Sequence, residues 1–188
     1  TMNIDFSATR WCALSALALL TANAHSLSAS SVDVMLGDTT SSIVRNIGGL
    51  LGERLQKSAG VTVRPKNSGE PQPGALKVLL GIPEQHEEIA ALMEAHRIPP
   101  LTELAPGPEG FLLRALPASN TVLAAGIDER GCLYAVGELL RRITYRADRI
   151  EIPNDLHVRT APAFEIRGTQ YGQSHIAQKL ANVRPWTE

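Results

Sequence analysis

Aromatic residues make up only 4% of this 188-residue chain, cysteine occurs twice, and the formal net charge is -1. Each scarcity excludes a class of function. Three Phe, two Trp and three Tyr are too few for the stacking platforms that hold single-stranded nucleic acid, or for a dedicated aromatic sugar-binding surface. The 18 basic residues are balanced by 19 acidic ones and form no Lys/Arg cluster, so no phosphate-tracking face and no nucleic-acid partner are expected. Cys12 and Cys132 cannot build a multiply stapled scaffold, and His86, His96 and His157 do not stand at ligand spacing with Cys or carboxylates. No metal and no other cofactor is expected. Gly48-Gly49 and Gly69 lack the context of a phosphate loop, and no Gly-x-Ser-x-Gly nucleophile elbow occurs.

What the chain does have is 44% hydrophobic and 20% charged residues, enough to bury one ordinary core and too apolar for disorder. Its first residues read as a targeting segment. Arg10 precedes the apolar run Trp11 to Leu20, and Ala22-Asn23-Ala24 supplies the small-x-small pattern of a signal-peptidase site. Residues 1–24 are therefore expected to be a signal peptide cleaved before His25, the other reading being a buried N-terminal helix. The run is shorter than the ~20 apolar residues that span a bilayer. A secreted or periplasmic protein with no membrane association after cleavage is expected, and Cys132 would be left without a disulfide partner.

From Val32 onward, strands and helices alternate. Val32-Asp33-Val34-Met35-Leu36 has strand character, and capping residues at Gly37 to Thr40 break it. Ile43, Ile47, Leu50, Leu51 and Leu55 share one face of a helix from about Ser41 to Ser58, stopped by Gly60. Its glycines Gly48, Gly49 and Gly52 weaken it locally but permit close packing on a sheet. Val61 to Arg64 reads as a second strand, and the Pro- and Gly-rich stretch Pro65 to Gly74 as an exposed loop. Lys77 to Ile82 is apolar enough for a central strand, with a helix from Pro83 to about His96 whose stripe is Ile89, Leu92, Met93 and His96. Phe111 to Leu116 and Thr121 to Gly126 flank Pro117-Ala118-Ser119-Asn120 as a β-hairpin. Asp128 caps a last helix, with Leu133, Val136, Leu140 and Ile143 expected against the sheet and Arg141, Arg142 and Arg146 near its carbonyl end. The order predicts an α/β (α+β) fold: a mixed sheet with helices packed on it.

Two blocks carry a resemblance. A strand ending Ala124-Ala125-Gly126, then Asp128-Glu129-Arg130-Gly131 and Leu133-Tyr134-Ala135-Val136 with paired leucines, resembles a stretch in the N-terminal domains of family 20 β-N-acetylhexosaminidases and of α-glucuronidases. Pro162, Phe164, Arg167 and Gly168 resemble the Pro-x-Phe-x-x-Arg-Gly start of the first barrel strand in those enzymes. The match runs over roughly residues 32 to 172, and Arg167 to Gly172 with Trp186-Thr187-Glu188 resembles the first βα unit of such a barrel.

The resemblance implies a zincin-like, hexosaminidase-domain-2-like domain at residues 25–160, followed at 161–188 by the start of a truncated (β/α)8 catalytic barrel. It implies a non-catalytic N-terminal domain of a secreted glycoside hydrolase acting on terminal N-acetylhexosamine or glucuronic acid. Its partners would be the missing catalytic barrel and the parent enzyme's oligo- or polysaccharide substrate. The other reading is a stand-alone secreted glycan- or protein-binding module. Glycosidic hydrolysis needs two carboxyl groups, or one with a substrate amide, held on either side of the bond, and Glu87-Glu88 at a helix start read instead as favouring the helix dipole. No catalytic residue is therefore expected here. Arg167 reads as a substrate-binding residue, forked onto two sugar hydroxyls at the end of a barrel strand, or else as an interdomain ion pair. His175 follows in a loop, as a substrate contact or simply solvated. Gly126, Gly131 and Tyr134 read as structural, the glycines allowing tight turns and the tyrosine packing its ring with its hydroxyl satisfied at the interdomain edge.

Overall fold

A computed structural model describes residues 26–164. The element order is β1 (Ser26–Ala29), β2 (Ser31–Met35), α1 (Ser42–Ala59), β3 (Thr62–Lys66), β4 (Leu76–Gly81), α2 (Glu87–Ala95), β5 (Phe111–Leu116), β6 (Thr121–Gly126), α3 (Glu129–Arg142), β7 (Thr144–Tyr145), β8 (Ile150–Pro153) and β9 (His157–Thr160). A six-stranded sheet runs β3-β2-β4-β6-β5-β9. Its first four strands are parallel; β5 returns antiparallel to β6, and β9 antiparallel to β5. The fold class is the expected one, and the hairpin pairs Phe111 with Gly126 through Leu116 with Thr121 around a 3-10 turn at Pro117–Ser119. A small antiparallel sheet β1-β8-β7 had no counterpart in the sequence reading, because strands of two to four residues leave too little periodicity to detect.

Side chains alternate between two cores. Val32, Val34, Val78, Leu80, Val122, Ala124, Leu113 and Phe111 lie under α1 and α3, while Met35, Leu79, Leu123, Ala125 and Leu112 meet Ile89 and Met93 of α2 on the opposite face. Both long helices are rotated from their expected orientation. On α1 the buried residues are Val44, Ile47, Gly48, Leu51, Gly52, Leu55 and Ala59, leaving Ile43 51% and Leu50 40% exposed. On α3 they are Gly131, Cys132, Ala135, Val136 and Leu139, and Leu133 is 41% exposed. Large apolar residues dominated the reading of each stripe, whereas small residues line the faces that approach the sheet. A Cβ on Gly48 would stand 2.9 Å from Leu36 Cδ2, and one on Gly52 3.3 Å from Val63 Cγ1.

Other departures are local. Ser41 is the N-cap of α1, its hydroxyl accepting from the Val44 amide at 3.3 Å, and Gly60 closes the helix in the left-handed conformation at φ 67. Strand β3 continues through Pro65 and Lys66, residues expected in the loop; a proline is tolerated there because β3 is an edge strand. The helix expected from Pro83 is a 3-10 turn, Pro83–Gln85, followed by α2. Between them His86 is extended, at φ -138 and ψ 94, which breaks the helix and lets its ring turn inward. His96 is exposed rather than part of the apolar stripe.

Candidate functional site

The Gly-Tyr block forms a junction of backbones. Asp128 accepts from the Gly131 amide at 2.6 Å, which starts α3 tightly after β6. Gly131 then passes so near the start of β5 that a Cβ would sit 2.3 Å from the Gly110 carbonyl oxygen, and a Cβ on Gly126 would be 2.3 Å from the Cys132 nitrogen. Glu109 sits beside this junction and joins Arg130 at 2.6 Å, while the Tyr134 hydroxyl donates to it at 3.5 Å. Both glycines hence have the structural roles expected of them, and the Tyr134 hydroxyl finds its partner in Glu109.

Outside the carboxyl ends of β2 and β4 lies a cleft of about 750 Å³, whose lining includes Gly37, Asp38, Asn67, Gln85, His86 and Glu88. Such a position is where open α/β sheets commonly receive ligands. Three of its polar side chains, those of Thr39, His86 and Glu88, are engaged within the protein. His86, 5% exposed, places Nε2 3.2 Å from the Met35 carbonyl, and an acceptor-only partner requires that nitrogen to carry the proton. Burial pushes the imidazole below its ordinary pKa, against the opposing pull of the Met35 carbonyl and of Glu88. Gly37 and Gly81 make room for the ring: a Cβ on either would come within 3.1 or 3.2 Å of it. Thr39 ties the loop after β2 to Gln85 by donating to its carbonyl at 2.6 Å, and Glu88 pairs with Lys77. Sequence spacing offered no sign of His86, whose partner is a backbone carbonyl 51 residues away.

A second buried polar side chain, this one charged, escaped the sequence reading. Asp33, fully buried on β2, accepts from Arg64 Nε at 2.7 Å, Lys66 Nζ at 3.0 Å and the Gln72 amide at 2.7 Å. Arg64 is its register partner across the β2-β3 pair. Gln72 belongs to the Pro- and Gly-rich loop, so one carboxylate fastens that loop over the sheet. Burial opposes its ionisation, but the Gln72 amide, Lys66 and Arg64 outweigh that and hold its pKa below the ordinary value.

Arg167 and His175 lie outside the described residues, as do residues 1–24 and Cys12. Phe164, of the second block, is 74% exposed. Among the described residues no group of three or more His, Cys, Asp or Glu is placed to hold a metal ion. Cys132 is fully buried, and burial pushes its thiol pKa up to about 12. A thiol so rarely ionised is a poor nucleophile. The Cys132 peptide should remain unlabelled by iodoacetamide at ~pH 8 in the folded protein and become labelled in concentrated guanidinium; mass spectrometry of the digest reads both states, and labelling of the folded chain would contradict the buried placement.

The fold defined by this mixed sheet is one carried by glycoside hydrolases. A family GH115 4-O-methyl-α-glucuronidase with specificity for decorated arabinogalactans matches at 16% identity and a TM-score of 0.56, over 75% of this chain and 19% of its own. An inactive mutant of the family GH20 exo-β-N-acetylglucosaminidase from Vibrio harveyi matches at 15% identity and a TM-score of 0.51, over 76% of this chain and 18% of its own. The chain thus spans about a fifth of the length of the enzymes it is similar to. No family model and no curated protein sequence matches it.

Proposed function

We propose that this chain is the non-catalytic N-terminal α/β domain of an exported glycoside hydrolase that removes terminal N-acetylhexosamine or glucuronic acid. In this reading residues 1–24 direct export to the periplasm or medium, and residues 161–188 begin a (β/α)8 barrel that supplies the catalytic carboxyl groups. The domain braces that barrel and shapes one wall near the substrate entrance, with Arg167 as a sugar ligand from the first barrel strand and His175 as a weaker contact.

The observation that carries the reading is the shared fold, which accounts for three quarters of this chain and under a fifth of each enzyme. Six of the described carboxylates are already engaged within the protein. Asp33, Glu88, Glu109, Glu138 and Glu151 are each in ion pairs that hold the fold together, and Asp128 is spent on capping α3. Two carboxyl groups flanking a glycosidic bond have to face substrate instead.

Sequencing the DNA that follows the codon for Glu188 tests the proposal. A barrel encoded there, in frame or after a frameshift, is the expected result; its absence would point to a stand-alone secreted module. The purified chain is also expected to release no 4-nitrophenol from the 4-nitrophenyl N-acetylglucosaminide or glucuronide, and turnover by the chain alone would overturn the non-catalytic assignment.

A further inference from the structure

Where the C-terminal end of α2, the β5-β6 turn and the β8-β9 connection meet, a groove of about 560 Å³ is lined by His96, Arg114, Ser119, Asp155 and His157 among others. Arg114 is the telling residue. It lies within β5, opposite Leu123 of β6 and His157 of β9. Its neighbours on the same strand face are Leu112 and Leu116, both buried, so a guanidinium occupies a position that strand alternation assigns to the apolar side.

Arg114 is half-buried, and its guanidinium makes no hydrogen bond or ion pair among the described residues. The other partly buried cations are all engaged: Arg64 and Lys66 on Asp33, Lys77 on Glu88, and Arg159 on the carbonyls of Pro99, Pro100 and Ala105. A guanidinium that lines an open groove without a protein acceptor leaves its five N–H donors to solvent or to a ligand, and a bidentate carboxylate satisfies the fork best. Asp155 does not fill that role, being farther than ion-pair distance although it lines the same groove. Its carboxylate, the two exposed imidazoles and the Ser119 oxygen, whose hydrogen is donated to Leu116, instead offer acceptors for hydroxyl groups. One ligand class presents both parts, a carboxylate and a ring of hydroxyl donors.

We propose that this groove binds a uronic-acid unit of an acidic glycan, its carboxylate forked by Arg114 and its hydroxyls received by Asp155, His96, His157 and Ser119. The choice of a sugar acid rests on the glycoside-hydrolase reading; the anion site rests on Arg114. The groove lies at the opposite end of β5 from Phe111, which pairs with Thr160 at the end of β9. It would hold an acidic polysaccharide at a second point while the barrel cleaves a terminal sugar.

The test uses the purified chain, nuclear magnetic resonance and three probes: methyl glucuronide, its neutral counterpart methyl glucoside, and sodium sulfate. Methyl glucuronide is expected to shift the amide signals of Arg114, His157 and Ser119 and to bind at least about tenfold more tightly than methyl glucoside, as one lost charge-assisted bidentate contact implies. Arg114→Gln should reduce glucuronide affinity by a similar factor with its thermal midpoint retained. If R114Q does not fold, the comparison of glucuronide with glucoside on the parent chain decides. Equal binding of the two sugars, or unchanged binding by folded R114Q, overturns the proposal, and sulfate binding as tight as glucuronide overturns its sugar-acid part. Failure here leaves a barrel found downstream untouched, whereas glucuronide binding by a chain with no such barrel would sink only the enzyme reading.

Discussion

Gly131→Ala is expected to destabilise the domain by at least about 3 kcal/mol, at or beyond the upper end of ordinary overpacking costs. The new methyl would lie 2.3 Å from the Gly110 carbonyl oxygen and 3.1 Å from Gly126 Cα. Both obstacles are backbone, so no rotamer change relieves the collision. Retreat would have to part the start of α3 from the end of the β5-β6 pair, where Phe111 faces Gly126. Helix propensity, which favours alanine over glycine by up to about 1 kcal/mol within α3, offsets only part of this. Gly49→Ala provides the contrast: its added methyl meets nothing within 4 Å in the interior of α1, so a gain of about 0.5–1 kcal/mol is expected from helix propensity. Urea unfolding of both variants checks the pair, and a Gly131→Ala protein about as stable as the parent would refute the close approach.

Asp33→Asn should cost about 3 kcal/mol near neutral pH, the lower end of the range for breaking a buried charge network by removing one partner. Asparagine keeps the shape but leaves Arg64 and Lys66 without a counter-charge and holds Gln72 more weakly. The pH dependence has a definite sign. Because the folded-state pKa of Asp33 is depressed, its contribution is complete above the unfolded carboxylate pKa, about 3.9, and fades as pH falls through the lower folded value. The stability gap between the parent and the Asp33→Asn variant should therefore narrow from about pH 5 downward. Glu138, held low by Arg142 and Arg141, fades in the same direction in both proteins and cancels from the difference. A gap that stays constant down to about pH 2 would mean that the folded-state pKa of Asp33 is not depressed, and a gap that widens toward acid pH would mean that its carboxyl is neutral when folded.

Much of the fold was readable from the chain because it rests on local rules. The hairpin announced itself through two apolar runs around Pro117 to Asn120, the start and stop of α1 through its span from about Ser41 and Gly60, and the start of α3 through Asp128. The rotation of both helices was not readable, since a stripe of Leu and Ile outweighs Ala, Cys and Gly in any hydrophobic pattern while close approach to a sheet favours the small residues. Arg114 carries a sequence signal, as a charge in the middle of Phe111 to Leu116 on the strand's apolar phase. Asp33 and His86 had none, because their partners lie across the sheet and in distant backbone.

By itself the sequence determined the three longer helices, the main strands β2, β4, β5 and β6, and the glycines that let Gly110, Gly126 and Gly131 crowd together. These features depend on neighbours a few residues apart, through hydrogen-bond periodicity, capping and side-chain size. Tertiary structure alone decided which helix faces are buried, that Asp33 clamps the proline-rich loop, and that Arg114 is left half-buried without a partner beside a groove. Desolvation and ion pairing act through space, and their outcome exists only once β2, β3, α2, β5 and β9 have been brought side by side.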